Sequence, residues 1–243
     1  LPILSIIETI EAGHPIPDEN SETAASRILK KVSEYDSKTL VLVLISGGGS
    51  ALVTSPYYSS NPKIQLSLKD KQHLTDLLLK CGASIQEINC VRKHLSSIKG
   101  GRLAQTIVPA SIISLILSDV IGDPLDVIAS GTTVPDPSSY LEVKEIFNRY
   151  HLENQLSENT NKLLQFGLDG AIPETPNRSD QLFDKVSNIV IGNNYDCLVE
   201  ARKKAEQLGY TAEIINGFIT GDVEDAALWL YQNTFRKIKE FPK

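Results

Sequence analysis

Six consecutive apolar residues, Leu40-Val41-Leu42-Val43-Leu44-Ile45, form the clearest hydrophobic run in the chain. Ile112-Ile113-Ser114-Leu115-Ile116-Leu117 and Ile189-Val190-Ile191 repeat it. Short runs without alternation predict strands covered on both faces, as in a parallel sheet. Residues 211–215 and 3–10 are weaker strand candidates. Between the runs, apolar positions fall at helical spacing. Ala25, Ile28, Leu29 and Val32 follow an Asn20-Ser21 start signal, and Leu74, Leu77, Leu78 and Cys81 are stopped by Gly82. The same spacing joins Val143, Ile146, Phe147 and Tyr150. It returns in Leu198, Ala201, Ala205 and Leu208 before Gly209, and in Val223, Ala226, Ala227 and Leu230. Strands alternating with amphipathic helices place the chain in the α/β class, with a parallel sheet and helices on both faces. Residues 171–180 are polar and rich in turn formers, and read as a surface loop.

Composition narrows the functional classes. The chain has 243 residues, with 24 Lys and Arg against 30 Asp and Glu, for a net charge of −6. That balance argues against a nucleic-acid surface or a binder of anionic membranes. No apolar run approaches the roughly 18 residues of a membrane-spanning helix. Cys81, Cys90 and Cys197 fit neither a disulfide framework nor a paired-cysteine metal site, and are expected to be buried structural thiols. The chain starts at Leu1 and contains no Met, so residues are expected to have preceded it. A cytoplasmic setting is expected, or a mitochondrial one if a leader was lost.

Ligands of open α/β sheets sit beyond the carboxyl ends of the strands, and three loops of unusual composition leave strand ends here. Ser46-Gly47-Gly48-Gly49-Ser50 follows the first run. Three glycines allow close backbone approach and can turn N–H groups toward an anion, although a plain strand-to-helix turn would also use them. After the second run come Asp119 and Asp123, four residues apart, whose hard oxygens suit Mg²⁺ shared with phosphates. Asp123 and Asp136 each precede a proline and could instead cap turns. After the third run, Asn193 and Asn194 offer amides for a ribose or carboxylate, although Asn194 could simply cap the next helix. Between the first two loops, Arg92, Lys93, Lys99 and Arg102 gather within eleven residues. Arg92 and Lys99 share a face if that helix continues, and Gly100-Gly101 would break it and expose N–H groups beside Lys99. Such cations could balance charge in phosphoryl transfer. His14, with Ser46 or Ser50 and an aspartate, is a weaker hydrolase alternative.

Taken together these stretches resemble the glycerate 2-kinase family of the MOFRL type. The matching segments are EAGHPIPDE (11–19), LISGGGSALV (44–53), GASIQEINCVRKHLSSIKGGRLA (82–104) and LSDVIGDPLDVIASGTTVPDP (117–137), followed by IGNN (191–194) and AEQLGY (205–210). The resemblance implies two α/β domains with the active site between them, residues 1–243 forming most of a Rossmann-like N-terminal domain. It implies ATP-dependent phosphorylation of D-glycerate to 2-phosphoglycerate with Mg²⁺. A small-molecule substrate, no nucleic-acid or membrane partner, and room for a homo-oligomer go with it. The pocket-lining matches are Ser46, Gly47, Gly48, Gly49, Ser50, Asn89, Arg92, Lys93, Lys99 and Asp119. In these roles the glycine loop would hold carboxylate or phosphate, Arg92 and Lys99 would balance transferred charge, and Asp119 would position Mg²⁺ or the attacking hydroxyl. The family's Gly-Pro-Thr is Gly131-Thr132-Thr133 here, which is expected to loosen that loop. A GAGK-like segment with a catalytic lysine is expected before Leu1, and a MOFRL domain after Lys243. A binding protein without turnover is the alternative from outside catalysis.

Overall fold

Strands β1 (Leu40–Ile45) and β2 (Ser111–Ser118) pair in parallel, with Val41 opposite Ile112 and Val43 opposite Ser114. Strand β3 (Val186–Asn193) completes a three-stranded sheet in the order β1-β2-β3. The computed structural model describes residues 7–59, 61 and 63–240, with side chains through 236. Nine α-helices are present among them: α1 (Glu19–Val32), α2 (Gly49–Leu52), α3 (Leu68–Lys80), α4 (Ile85–His94), α5 (Arg102–Ile107), α6 (Tyr140–Arg149), α7 (Glu158–Leu168), α8 (Asn194–Gln207) and α9 (Val223–Glu240). The chain divides into two compact units, residues 1–191 and 192–243.

Capping fixes where most helices begin. Ser67, Ser84 and Ser139 each accept a hydrogen bond from the N–H three residues on, where an Asp or Glu side chain returns the bond. Asp18 does the same for α1 with Ser21, so that helix starts two residues earlier than the Asn20-Ser21 signal predicts. Helix α7 has no counterpart in the sequence reading. Its first turn is polar, and its buried positions are Thr160, Leu163 and Gly167, a mixture that hides the period.

Two cores result. Leu78, Val91, Tyr140, Phe147 and Leu163 bring α3, α4, α6 and α7 together. Ala25, Ile98, Ala104, Ile107 and Ile112 pack α1 and α5 against the sheet, joined by half-buried Val41 and Val43. The α/β class follows the apolar runs, yet burial within β1 alternates where the sequence does not. Leu40, Leu42 and Leu44 on its other face are exposed, Leu44 to 72%. An unbroken apolar run records what a strand can bury on both sides, not what lies against it.

Other expectations change. Residues 211–215 are not a strand, and neither are 7–10; the rest of the 3–10 candidate lies outside the described residues. The 171–180 segment is not wholly at the surface, since Ile172 and Thr175 are buried. Cys90 is buried, and desolvation pushes its thiol up to about 12, whereas Cys197 is exposed. No helix among the described residues is long and apolar enough to cross a membrane.

Two packing details yield measurable expectations. A methyl group on Gly167 would lie 2.3 Å from Cγ of the buried Tyr140 ring, so α7 can cross α6 only where it has no side chain. Gly167→Ala should therefore lower stability by about 1–3 kcal/mol in a denaturant titration, despite the gain in helix propensity. A variant as stable as the parent would contradict this packing. Lys71 is buried, and its Nζ donates to the Ser55 and Leu95 carbonyls at 3.2 Å each. Burial, and then the charges of Arg92 and Arg102, lower its pKa to about 7. The unfolded chain thus binds one more proton between about pH 7 and the ordinary lysine value, and stability rises with pH across that window. In Lys71→Met this contribution to the slope should vanish, as read by unfolding free energies from pH 7 to 10. An unchanged slope would show that Lys71 stays charged.

Candidate active site

The chain leaves β1 at Ile45 and enters Ser46–Ser50, where each glycine meets a different segment. A methyl group on Gly47 would lie 2.3 Å from Asp119 Oδ2, beyond β2. One on Gly48 would come within 3.2 Å of the His14 ring, and one on Gly49 within 3.2 Å of Ala129 Cβ. The triplet is thus the meeting point of three loops, and any side chain there would push one of them out.

Helix α4 ends at His94, with Leu95 as its cap, so Arg92 and Lys99 do not share a helical face. They converge all the same. Arg92 Nη2 donates to the Ser50 carbonyl at 3.1 Å, and Lys99 Nζ donates to the same oxygen at 2.7 Å. Lys99 also reaches Ser50 Oγ at 3.2 Å and the Val53 carbonyl at 3.4 Å. Its side chain is fully buried, and burial, then the charges of Arg92 and Lys71, hold the amine well below the ordinary lysine range. Burial also lowers Arg92.

Ser50 Oγ lies 2.8 Å from Ser130 Oγ, and Ser130 Oγ donates to Asn89 Oδ1 at 3.0 Å. Ser130 belongs to a left-handed run, with φ of 50° at Ala129, 56° at Ser130 and 61° at Gly131. Such backbone is costly for residues with a Cβ and persists where surroundings enforce it. The enforcement comes from the Gly100-Gly101 pair. Gly100 N–H donates to the Ser130 carbonyl at 3.0 Å and Gly101 N–H to the Gly131 carbonyl at 2.7 Å. These N–H groups, expected to be exposed beside Lys99, are therefore consumed within the protein. Nor is the Gly131-Thr132-Thr133 loop loosened. Thr133 Oγ1 accepts from Ser114 at 2.9 Å and donates to Asn188 at 2.7 Å.

The other candidate residues lie elsewhere. Lys93 turns to Asp136, 2.8 Å away, in a pair almost wholly buried, with Asp126 at 3.8 Å. Burial opposes the Asp136 carboxylate, but Lys93 and the Ser138 hydrogen bonds outweigh it and lower its pKa. Asp136 also accepts from the Ser138 N–H, in keeping with the turn-capping alternative. Asp119 is exposed at the rim of the glycine loop, and Asp123 occupies the turn before Pro124 at φ 52°. Among the described residues no three His, Cys, Asp or Glu side chains gather to hold a metal ion. The hard carboxylate of Asp119 nonetheless suits Mg²⁺, which commonly takes one or two carboxylates and completes its shell with water and phosphate. The cap of α8 is Asn193, not Asn194 as expected: Asn193 accepts from the Asp196 N–H at 2.9 Å and Asn194 is the first helical residue; both belong to the 192–243 unit.

One residue enters the site unforeseen: Ser130 carries no signal beyond preceding a glycine in the loop after β2. His14 meets Gly48, while the Ser50 hydroxyl engages Ser130 and Lys99. The hydrolase alternative thus lacks its histidine at Ser50.

Comparison with known proteins shows what the chain is similar to. Residues 3–165 match the family model described as "Domain of unknown function (DUF4147)". The chain is 40% identical over 227 residues to a glycerate 2-kinase of Pyrococcus horikoshii, covering 93% of this chain and 49% of the relative. It is 40% identical over 223 residues to a D-glycerate 2-kinase of Thermotoga maritima, covering 92% and 49% respectively. A crystal structure of a Pyrococcus horikoshii protein superposes with a TM-score of 0.78 at 40% identity, over 95% of this chain and 50% of that one. The crystal structure of the Thermotoga maritima glycerate kinase gives 0.74 at 41%, over 88% and 47%. The chain spans about half the length of the curated relatives it matches. It belongs to the DUF4147 family, the domain that forms the N-terminal part of glycerate 2-kinases.

Proposed function

We propose that this chain serves the ATP-dependent phosphorylation of D-glycerate to 2-phosphoglycerate, as part of a glycerate kinase in the cytoplasm. The observation that carries the reading is the convergence of Arg92 and Lys99 on Ser50, at 3.1 and 2.7 Å, beside a glycine loop flanked by Asp119. Phosphoryl transfer asks a protein mainly for positioning and for positive charge where negative charge moves. Here the N–H groups of residues 46–50 hold the substrate carboxylate or a phosphate. Arg92 and Lys99 stabilise the charge that develops on the transferred group. Asp119 would orient the attacking hydroxyl and would be an oxygen ligand for Mg²⁺, which would neutralise phosphate charge. Asn193 and Asn194 are assigned to the nucleotide. Asn89 acts through Ser130, and Lys93 through its pair with Asp136, as supports of the pocket wall.

The test is ADP release coupled to D-glycerate in the full-length protein, with the phosphorylated position read by phosphorus NMR. Arg92→Ala and Lys99→Met should each reduce kcat on the order of a hundredfold, the typical loss for one transition-state donor. Thermal melts establish that the variants are folded. Unchanged turnover in both variants would remove the site assignment. Calorimetric binding of ATP or D-glycerate by the parent, with no product formed, would identify a binding protein instead.

A further inference from the structure

With Ser130 donating to Asn89, the hydrogen-bond chain through Ser50 runs in one direction. A serine hydroxyl owns one proton and two lone pairs. Ser130 spends its proton on Asn89 Oδ1, 3.0 Å away. The 2.8 Å contact between Ser130 and Ser50 must then be donated by Ser50. As an ammonium, Lys99 Nζ has one proton for each of its three acceptors, the Ser50 and Val53 carbonyls and Ser50 Oγ at 3.2 Å. The order is therefore Lys99 to Ser50 to Ser130 to Asn89. Ser130 and Asn89 are almost completely buried, so solvent does not readily reorder the chain at that end. Ser50 itself is half-buried at the glycine loop. With its proton committed, it retains one lone pair that meets no partner among the described residues.

We propose that Ser50 is locked as a hydrogen-bond acceptor and recognises a hydroxyl group of the hydroxy-acid substrate, not its carboxylate or a phosphate oxygen. Ser130 is the positioning residue that enforces this. The proposal rests on the glycerate reading for the identity of the substrate, but not for the proton order. Carboxylate and phosphate oxygens bring only lone pairs, and a fixed acceptor repels them. A substrate hydroxyl brings the missing proton. The loop thus divides its labour, with backbone N–H groups serving the anion and Ser50 serving the alcohol. A site built to pair with a substrate hydroxyl rejects analogues lacking it more strongly than an apolar pocket can.

Two measurements decide it. Neutron diffraction from deuterated crystals of the full chain should show the Ser50 deuteron directed at Ser130 and the Ser130 deuteron at Asn89. A deuteron running from Ser130 to Ser50 would overturn the assignment without reference to any ligand. Calorimetry then compares D-glycerate with D-lactate and 3-hydroxypropionate, each of which lacks one hydroxyl. Ser50→Ala should lose about tenfold in affinity for D-glycerate and for the analogue that keeps the recognised hydroxyl, and nothing for the other. Ser130→Gly, which suits the left-handed backbone at this position, should abolish the preference between the two analogues. Equal loss for all three ligands in Ser50→Ala, or no loss for any, would refute the proposal. Failure of the parent protein to bind D-glycerate would refute the substrate reading, leaving the proton order to the neutron result.

Discussion

The pairing of Gly100 and Gly101 with the carbonyls of Ser130 and Gly131 is the contact on which the site depends. These two hydrogen bonds join the segment that carries the cations to the loop that follows β2. Both glycines have positive φ, and neither has room for a side chain. A methyl group on Gly101 would lie 2.9 Å from the Val134 carbonyl, and one on Gly100 within 3.1 Å of Lys93 Cβ and the Thr175 methyl. With the two backbones locked, Lys99 on one side and Ser130 on the other are delivered to opposite flanks of Ser50. The left-handed turn at Ala129 and Ser130 is held open by the same pair, which explains how so strained a run can persist.

The electrostatics follow from that geometry. Lys93 is buried with a carboxylate, Asp136, whereas Lys71, Arg92, Lys99 and Arg102 take their short-range partners from backbone carbonyls. Carbonyl dipoles stabilise a cation less completely than a carboxylate does, so burial lowers the pKa of both Lys71 and Lys99. Several of those carbonyls belong to residues 50–55 and to the C-terminal end of α4, where the helix dipole adds negative potential. The cations thereby clamp the glycine loop to α4.

What the sequence disclosed, and what it withheld, divides along the same line. Apolar runs and helical spacing are local, and they located β1, β2, β3 and the helices around Leu29, Leu78, Phe147 and Leu198. The glycine triplet and the cation cluster were visible as composition. Choice of partner was not. Nothing local says that Lys93 turns to Asp136, forty-three positions away, while Arg92 turns to Ser50, or that the Gly100 and Gly101 N–H groups are spent on Ser130 and Gly131. Ser130 was invisible because its role comes from its neighbours in space. Helix α7 was missed for a related reason, since Gly167 is a core residue whose contribution is the side chain it lacks.

Ser50 shows why the distinction matters for chemistry. In the sequence it is one of two hydroxyls bracketing three glycines, and a hydroxyl can give or take a hydrogen bond. Composition therefore assigns it to the anion together with the rest of the loop. In the fold its proton is claimed by Ser130, because Ser130 has already given its own to Asn89. A residue that looked like one more donor in an anion-binding loop becomes the loop's acceptor. A hydroxy acid needs both kinds of partner within a few ångströms, donors for its carboxylate and an acceptor for its alcohol. Backbone N–H groups can only donate, so the acceptor has to come from a side chain whose proton is held elsewhere. In the role proposed for Ser50, the buried pair Asn89 and Ser130 provides that hold.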